Sequence, residues 1–536
     1  MASPEKAAPV SEGEDVIQAA HREQDIQHVA ERGQMATDKY GQPLFQFDAK
    51  AESRLRTKID LFIVPTVAVL YLFCFIDRAN IGKFSCSRER PRAPHTPYLS
   101  CMTHANASPG NARLAGLEKD LHLKGNDYNT VLSVFYISYI IFEIPSNILC
   151  KWVGPGWFLP AISLGSSLGT AFVKDMPAVC GVRFLLGIFE AGMLPGIAYY
   201  LSRWYRRAEL AFRLSLYIVM APLAGAFGGL LASAILKLSH FGGLHAWRMI
   251  FAIEGIITIG LSLIAFITLT DRPSTARWLT PDEQALAIAR VKSERVGATH
   301  VLDGIDTIKL KRGLTSPLTI ATSFVFLLNN VTVQGLAFFA PTIVATIYPD
   351  KSTIQKQLYT VPPYVVGAFF TVLIPLLSWR FDRRQIFMVI SAPLTMVGYI
   401  MFLASNVAKV RYAATFLIAL SAFSLGALTN AQVSANVVTD TARSSAIGMN
   451  VMMGNIGGLI ATWSFLWYDG PDYHIGNGLN LATSSTVLIV TILTLLWMKR
   501  DNKKRAQRNV EEELTGLTDK EIEDLDWKHP AFKWRP

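Results

Sequence analysis

A small set of charged residues stands inside otherwise apolar runs of this sequence: Asp77, Arg78, Glu143, Arg183, Glu190, Arg248 and Glu254. Charge is costly in hydrocarbon, so each is a candidate for handling an ion or a substrate. Arg78 follows a long apolar run in "KIDLFIVPTVAVLYLFCFIDRANIG". Arg183 and Glu190 share one helix face at i and i+7 with Gly187 between them, about 10 Å apart along the axis, too far for a simple contact pair. A guanidinium offers a planar fork of donors that matches a carboxylate bidentately. Arg78 and Arg183 are therefore candidates to clamp an organic anion as substrate-binding residues. A buried carboxylate beside a cation keeps its charge, but once an arriving anion occupies that cation the carboxylate has reason to take a proton. Glu190 is the proton-coupling candidate on that ground. The competing reading is that Arg183 and Glu190 brace neighbouring helices through ion pairs. Asp77 points about 100° away from Arg78 on a helix; it is a second proton-coupling candidate or a structural residue.

Polar groups of a milder kind occur later in the chain. "LLNNVTVQGLAFFAPTIV" brings Asn329, Asn330 and Gln334 beside Phe338 and Phe339. These amides would hydrogen-bond a neutral part of a substrate, or else tie helices together. Glu143 before Pro145, and Arg248 with Glu254, lie near the ends of apolar runs, where pairing or gating is expected. Asp382 and Arg383 in "WRFDRRQ" and Lys151 in "CKWVGPGWF" are gating candidates, with Asp382 and Arg383 read as a pair.

The elements that must position these residues follow from composition. The chain has 536 residues, 51% hydrophobic and 17% charged, with mean hydropathy +0.29; soluble domains carry about 25% charged residues. A membrane helix needs about 20 mostly apolar residues. Runs of that kind lie at 59–82, 129–149, 157–173, 178–202, 213–237, 247–270, 317–346, 358–378, 386–405, 411–430, 444–468 and 479–498. Twelve spans place both tails on one side. Arg54, Arg56 and Lys58, Arg203, Arg206 and Arg207, Arg380, Arg383 and Arg384, and the run from Lys499 to Arg505 mark that side as cytoplasmic by the positive-inside rule. The expected fold is an all-α membrane protein of twelve transmembrane helices in two six-helix halves. Its parts are an N-terminal tail (1–57), an N-terminal half (58–270), a cytoplasmic linker (271–316), a C-terminal half (317–498) and a C-terminal tail (499–536). In the linker, Thr280, Pro281 and Glu283 form a capping-box start for an amphipathic helix. Both tails are charged and poor in apolar runs, and are expected to be disordered or loosely held.

The net charge of +10 is spread over short segments between apolar runs, unlike the clustered basic surface of a nucleic-acid binder. The polar N-terminus lacks a signal-peptide core. No CxxC pair, nucleophile–base set, metal cluster or phosphate loop occurs, so no enzyme, metal or cofactor is expected. The energy source would be a proton gradient.

The runs "KIDLFIVPTVAVLYLFCFIDRANIG", "SVFYISYIIFEIPSNIL", "RFLLGIFEAGMLPG" and "WRMIFAIEG" together resemble the anion:cation symporter family of the major facilitator superfamily. Within it they look most like the fungal permeases for allantoate, nicotinate and pantothenate, and the likeness runs from about residue 45 to residue 500. That resemblance implies two halves rocking around a midplane site, anion binding at Arg78 and Arg183, and proton coupling at Glu190. The family's vesicular branch carries an Arg in the seventh span where this sequence has amides. The fifth span lacks the Gly-Pro ending of drug-export antiporters, which favours uptake. The expectation is a monomeric secondary transporter of the plasma membrane, importing a small organic carboxylate with protons. An exporter of a secondary metabolite and a non-transporting nutrient sensor are the alternatives.

One stretch departs from the resembled pattern. Without Lys83–Gly110 the chain reads "DRANIGNARLAGLEKDL", as the family does, and the 28 extra residues correspond to 84 nucleotides. Gly82-Lys83-Phe84 is compatible with a splice donor, His104-Ala105-Asn106 with a branch point and Pro109-Gly110 with an acceptor, in frame. The stretch is read as a retained intron. The other reading is an extracellular loop glycosylated at Asn106.

Overall fold

Inside a bilayer every backbone polar group must find a partner within the protein, and helices do this locally. The computed structural model describes residues 48–81, 127–166, 169–235, 247–292, 306–348, 350, 353–464, 469 and 473–536. Among them, twelve helical rods follow the apolar runs. They are Ala49–Ile81, Asp127–Val153, Pro155–Ser166 with a 3-10 turn Gly169–Phe172, Met176–Glu190 with Met193–Ser202, Arg207–Ile218 with Met220–Ile235, and Trp247–Thr268. After the linker come Pro317–Ile347, Thr353–Phe381, Arg384–Ala404, Ala408–Ala435, Asp440–Thr462 and His474–Arg505. Ten are long and apolar enough to cross a membrane unaided. The third has a helix of only 12 residues. The eleventh carries Arg443, Asn450 and Asn455, which are buried against protein instead of lipid. The stretch 83–110 and the N-terminal tail to residue 47 lie outside the described residues.

The fourth span is interrupted immediately after Glu190. Gly192 stands at the break because a Cβ there would meet the Phe158 ring at 2.6 Å and Ser146 Oγ at 2.7 Å. Ala191 and Gly192 keep right-handed helical backbone angles, so the two pieces run on as one span. Two other span glycines mark close approaches of backbone. A Cβ on Gly187 would sit 2.0 Å from Ser138 Oγ, so spans two and four touch through backbone there. One on Gly457 would sit 2.1 Å from the Leu327 carbonyl oxygen, so spans seven and eleven do the same. The fifth-span glycines are looser: Gly225 has 3.2 Å to Tyr364 and Gly228 has 4.0 Å to Ile76.

On the linker side the first span begins in an ion-pair net. Glu52 binds Arg206 (2.7 Å) and Arg290 (2.8 Å), Glu209 binds Arg290 (2.8 Å) and Arg56 (3.2 Å), and Asp60 binds Arg213 (2.9 Å). Arg290 belongs to the linker helix Pro281–Lys292, whose start is the expected capping box: Thr280 N donates to Glu283 Oε2 (2.9 Å) and Glu283 N to Thr280 Oγ1 (3.3 Å).

The C-terminal tail corrects the expectation of a loose segment. Trp527, Phe532 and Trp534 pack on Leu318, Val438 and Met498. Asp526, 1% exposed, accepts hydrogen bonds from Thr439 N (2.8 Å), Thr439 Oγ1 (2.7 Å) and Val438 N (3.3 Å). It thereby caps the eleventh span, whose own N-cap Thr439 makes no side-chain capping bond. Arg505 Nη1 donates to the carbonyls of Trp527, His529 and Phe532. Composition missed this because a few aromatic anchors and one buried carboxylate hold a segment that is charged on average.

Candidate functional site: a central cavity walled by both halves

The two halves meet around a cavity lined on one side by Tyr71, Phe75, Arg78 and Tyr139 and on the other by Asn330, Gln334, Asn430 and Asn455, with Phe326 and Phe423 among its apolar surfaces. The space between its walls, open solvent included, is about 560 Å3. The lining residues come from spans one, two, four, five, seven, ten and eleven.

Arg78 is the charged group of this wall. It is 7% exposed, and its Nε and Nη2 reach Glu190 Oε2 at 3.2 and 2.8 Å. Three rings surround the guanidinium, Phe75 at 5.6 Å and Phe135 and Tyr139 at 5.1 Å each. Two arginine donors thus converge on one carboxylate oxygen in a desolvated aromatic box, where charge-assisted hydrogen bonds are strong.

The partner of Glu190 is therefore Arg78 of the first span, while Arg183 lies elsewhere. Arg183 is 1% exposed and is not among the cavity-lining residues. Asp77 lies within electrostatic reach of both Arg183 and Glu190. Arg78 of span one thus binds Glu190 of span four, and its neighbour Asp77 feels Glu190 and, less strongly, Arg183.

The seventh-span amides divide. Asn330 and Gln334 line the cavity, and Asn330 Nδ2 also donates to the Gly454 carbonyl (2.6 Å). Asn329 turns away and donates to the Ala422 carbonyl of span ten (3.0 Å). Further amides went unnoticed in the sequence: Asn430, which accepts from Asn450 Nδ2 (3.1 Å), and Asn455. Their signal was an uncharged polar residue recurring in the small-residue runs "GALTNAQ" and "NVMMGNIGG".

Of the gating candidates, Lys151 donates to Thr441 Oγ1 across the interface between halves. Beside it Asn147 Nδ2 donates to the Ser444 carbonyl and Arg443 Nη1 to the Ser202 carbonyl (3.5 Å). Asp382 pairs with Arg384 (3.0 Å), not with Arg383. Its φ of +48° turns the chain so that the carboxylate meets the residue two positions on, and Arg383 is left exposed. Arg248 donates to the Ala171 carbonyl (3.3 Å) and stacks on Trp247 (4.5 Å).

The Major Facilitator Superfamily pattern matches residues 102–462. An uncharacterized transporter of Schizosaccharomyces pombe is 30% identical over 459 residues, 85% of this chain and 88% of its own length. The MFS transporter prlL of a fungal species is 33% identical over 421 residues, 77% and 79% of the two chains. The high-affinity nicotinic acid transporter of Saccharomyces cerevisiae is 28% identical over 488 residues, 90% and 85%. The solved structure of the proton:xylose symporter XylE bound to 6-bromo-6-deoxy-D-glucose matches with a TM-score of 0.59 at 15% identity, over 81% of this chain and 95% of that one. That last likeness is one of fold.

Proposed function

The chain belongs to the major facilitator superfamily, and on that premise we propose that it imports a small organic carboxylate by proton symport, as a member of the anion:cation symporter branch. The observation that carries this reading is the Arg78–Glu190 pair, with Arg78 in the wall of the central cavity and Glu190 bound to it from outside the lining. An incoming carboxylate competes with Glu190 for the Arg78 fork. Once displaced, a desolvated Glu190 is left without its cation and takes up a proton. Anion and proton then move together as the halves rock, and the proton leaves when the anion does and Glu190 returns to Arg78.

The cavity suits a planar or compact acid. Tyr71, Phe75, Tyr139, Phe326 and Phe423 offer ring faces, and Asn330, Gln334, Asn430 and Asn455 offer amides opposite Arg78 for a neutral polar end. The nicotinic acid transporter among the relatives supports the same class of substrate, which includes pantothenate- and allantoate-like acids. Asp77 and Arg183 form a second charge layer beside the Arg78–Glu190 pair, where Arg183 acts on Asp77 electrostatically. Lys151 closes the linker side through Thr441. By the positive-inside rule that side is cytoplasmic.

The test is uptake of a labelled carboxylate panel into proteoliposomes with and without an inwardly directed pH gradient. Accumulation of one or more acids that collapses with the gradient is expected. Extrusion driven by an opposite gradient would favour the exporter reading, and binding without flux the sensor reading.

A further inference from the structure

Glu143 of the second span has no part in the cycle just described, yet it is fully buried. Its Oε2 accepts one hydrogen bond, from Asn455 Nδ2 of the eleventh span (3.2 Å). Its Oε1 has no hydrogen-bond partner among the described residues. Arg78 from span one acts on it electrostatically, but two of the Arg78 donors already go to Glu190 of span four. Tyr139, one turn away on the same helix, is a titratable neighbour, and span eleven presents the Asn455 amide. The single hydrogen bond from that amide occupies Oε2 and leaves Oε1 as a buried oxygen that can carry a proton.

Its place in the fold gives that proton a use. Glu143, Asn147 and Lys151 follow one another at i, i+4 and i+8 on one helix face, and each bonds the eleventh span, at Asn455, Ser444 and Thr441. This ladder joins the two halves, and Glu143 is its rung beside the cavity that Asn455 lines. We propose that Glu143 is a second proton-carrying residue of the transport cycle, protonated while spans two and eleven are closed on one another and releasing its proton to water when they part. The carboxyl O–H bond breaks as the proton passes to the solvent entering the opened interface on the linker side, and it re-forms with a proton taken from the opposite side through the cavity once spans two and eleven have closed again. The inference rests on the symport reading above and adds to it one further proton per turnover, so that a monocarboxylate would move with net positive charge.

The experiment has two arms. In the first, infrared absorption of the purified, substrate-free wild type and Glu143→Gln is compared in lipid. A protonated-carboxyl band present in the wild type and absent from Glu143→Gln is expected. Asn455→Ala, which leaves Glu143 in place, should move that band to higher frequency by removing its hydrogen bond, and so covers the case in which Glu143→Gln does not fold. In the second arm, accumulation is measured against the imposed pH gradient. Each coupled proton multiplies the accumulation ratio about tenfold per pH unit, so Glu143→Gln should lose about tenfold per unit and keep the remaining dependence, and its transport of a monocarboxylate should no longer respond to membrane potential. The band persisting in Glu143→Gln, or a lost band with an unchanged gradient dependence, overturns the proposal. If no acid accumulates in the wild type, the symport reading fails, while the infrared arm still reports whether Glu143 holds a proton.

Discussion

Replacing Glu190 with Gln removes the charge that Arg78 binds at 2.8 Å while keeping nearly the same shape. Losing one partner of a buried ion pair costs about 3–5 kcal/mol. The three rings around Arg78 remain as cation–π partners, each contributing about 0.5–2 kcal/mol, so the lower end of that range is expected. For anion binding the sign reverses. In the wild type the substrate must displace a carboxylate that then takes a proton, so affinity falls about tenfold for each pH unit on the alkaline side of that uptake. In Glu190→Gln there is nothing to displace and no proton to take. Binding of labelled nicotinate to the purified protein should become nearly independent of pH, and at two pH units into the alkaline limb it should exceed the wild type by about a hundredfold. Thermal stability without ligand should drop and be restored by a saturating acid. Exchange between preloaded vesicles should continue while gradient-driven accumulation fails. A Glu190→Gln variant that folds but keeps the wild-type pH slope, or binds more weakly at every pH, would refute the displacement argument.

Gly457→Ala places a Cβ about 2.1 Å from the Leu327 carbonyl, and the overpacking should cost about 1–3 kcal/mol, read as a lower melting temperature, whereas Gly478→Ala, with nothing within 4 Å, should be nearly silent. Asp526→Asn keeps a residue tolerant of the observed φ of +49° but removes charge-assisted bonds of about 1.5–3 kcal/mol each; hydrogen exchange at 438–443 and protease cleavage of the tail should both rise. Burial holds the proton affinity of His529 below its ordinary value of 6.5, so the released tail binds the proton more readily than the docked one. Docking should be fully stable above about that pH and weaken as pH falls below it, seen in Trp534 fluorescence and abolished in His529→Asn. Transcripts from the source organism should lack the 84 nucleotides encoding Lys83–Gly110, and the 508-residue chain should reach the membrane and transport better than the 536-residue form; a transcript that keeps them and equal transport by both forms would establish a true loop.

The cost of charge in hydrocarbon marks residues in the sequence, and the structure shows where each one stands. Arg78, Glu190, Asn330 and Gln334 stand in or directly behind the cavity wall. Asn329 and Arg183 do not line it, because on a helix one residue of difference is about 100° of rotation and only the packing says which direction is inward. Asn430 and Asn455 were overlooked because amides in small-residue runs carry no charge to mark them. The docked tail was misjudged because average composition hides a few buried anchors, Trp527, Phe532, Trp534 and Asp526.

The sequence alone determined the number of apolar runs, the capping box of the linker helix and the identity of the charges placed in hydrocarbon, since length, hydropathy and local hydrogen bonding act along the chain. Tertiary structure decided who faces whom. The pairing of Arg78 with Glu190, the ladder of Glu143, Asn147 and Lys151 on the eleventh span, and the cap that Asp526 gives that span all join residues from about 90 to more than 300 positions apart. Such contacts depend on how rigid helices interlock around glycines such as Gly187 and Gly457, and no periodicity within one segment encodes them.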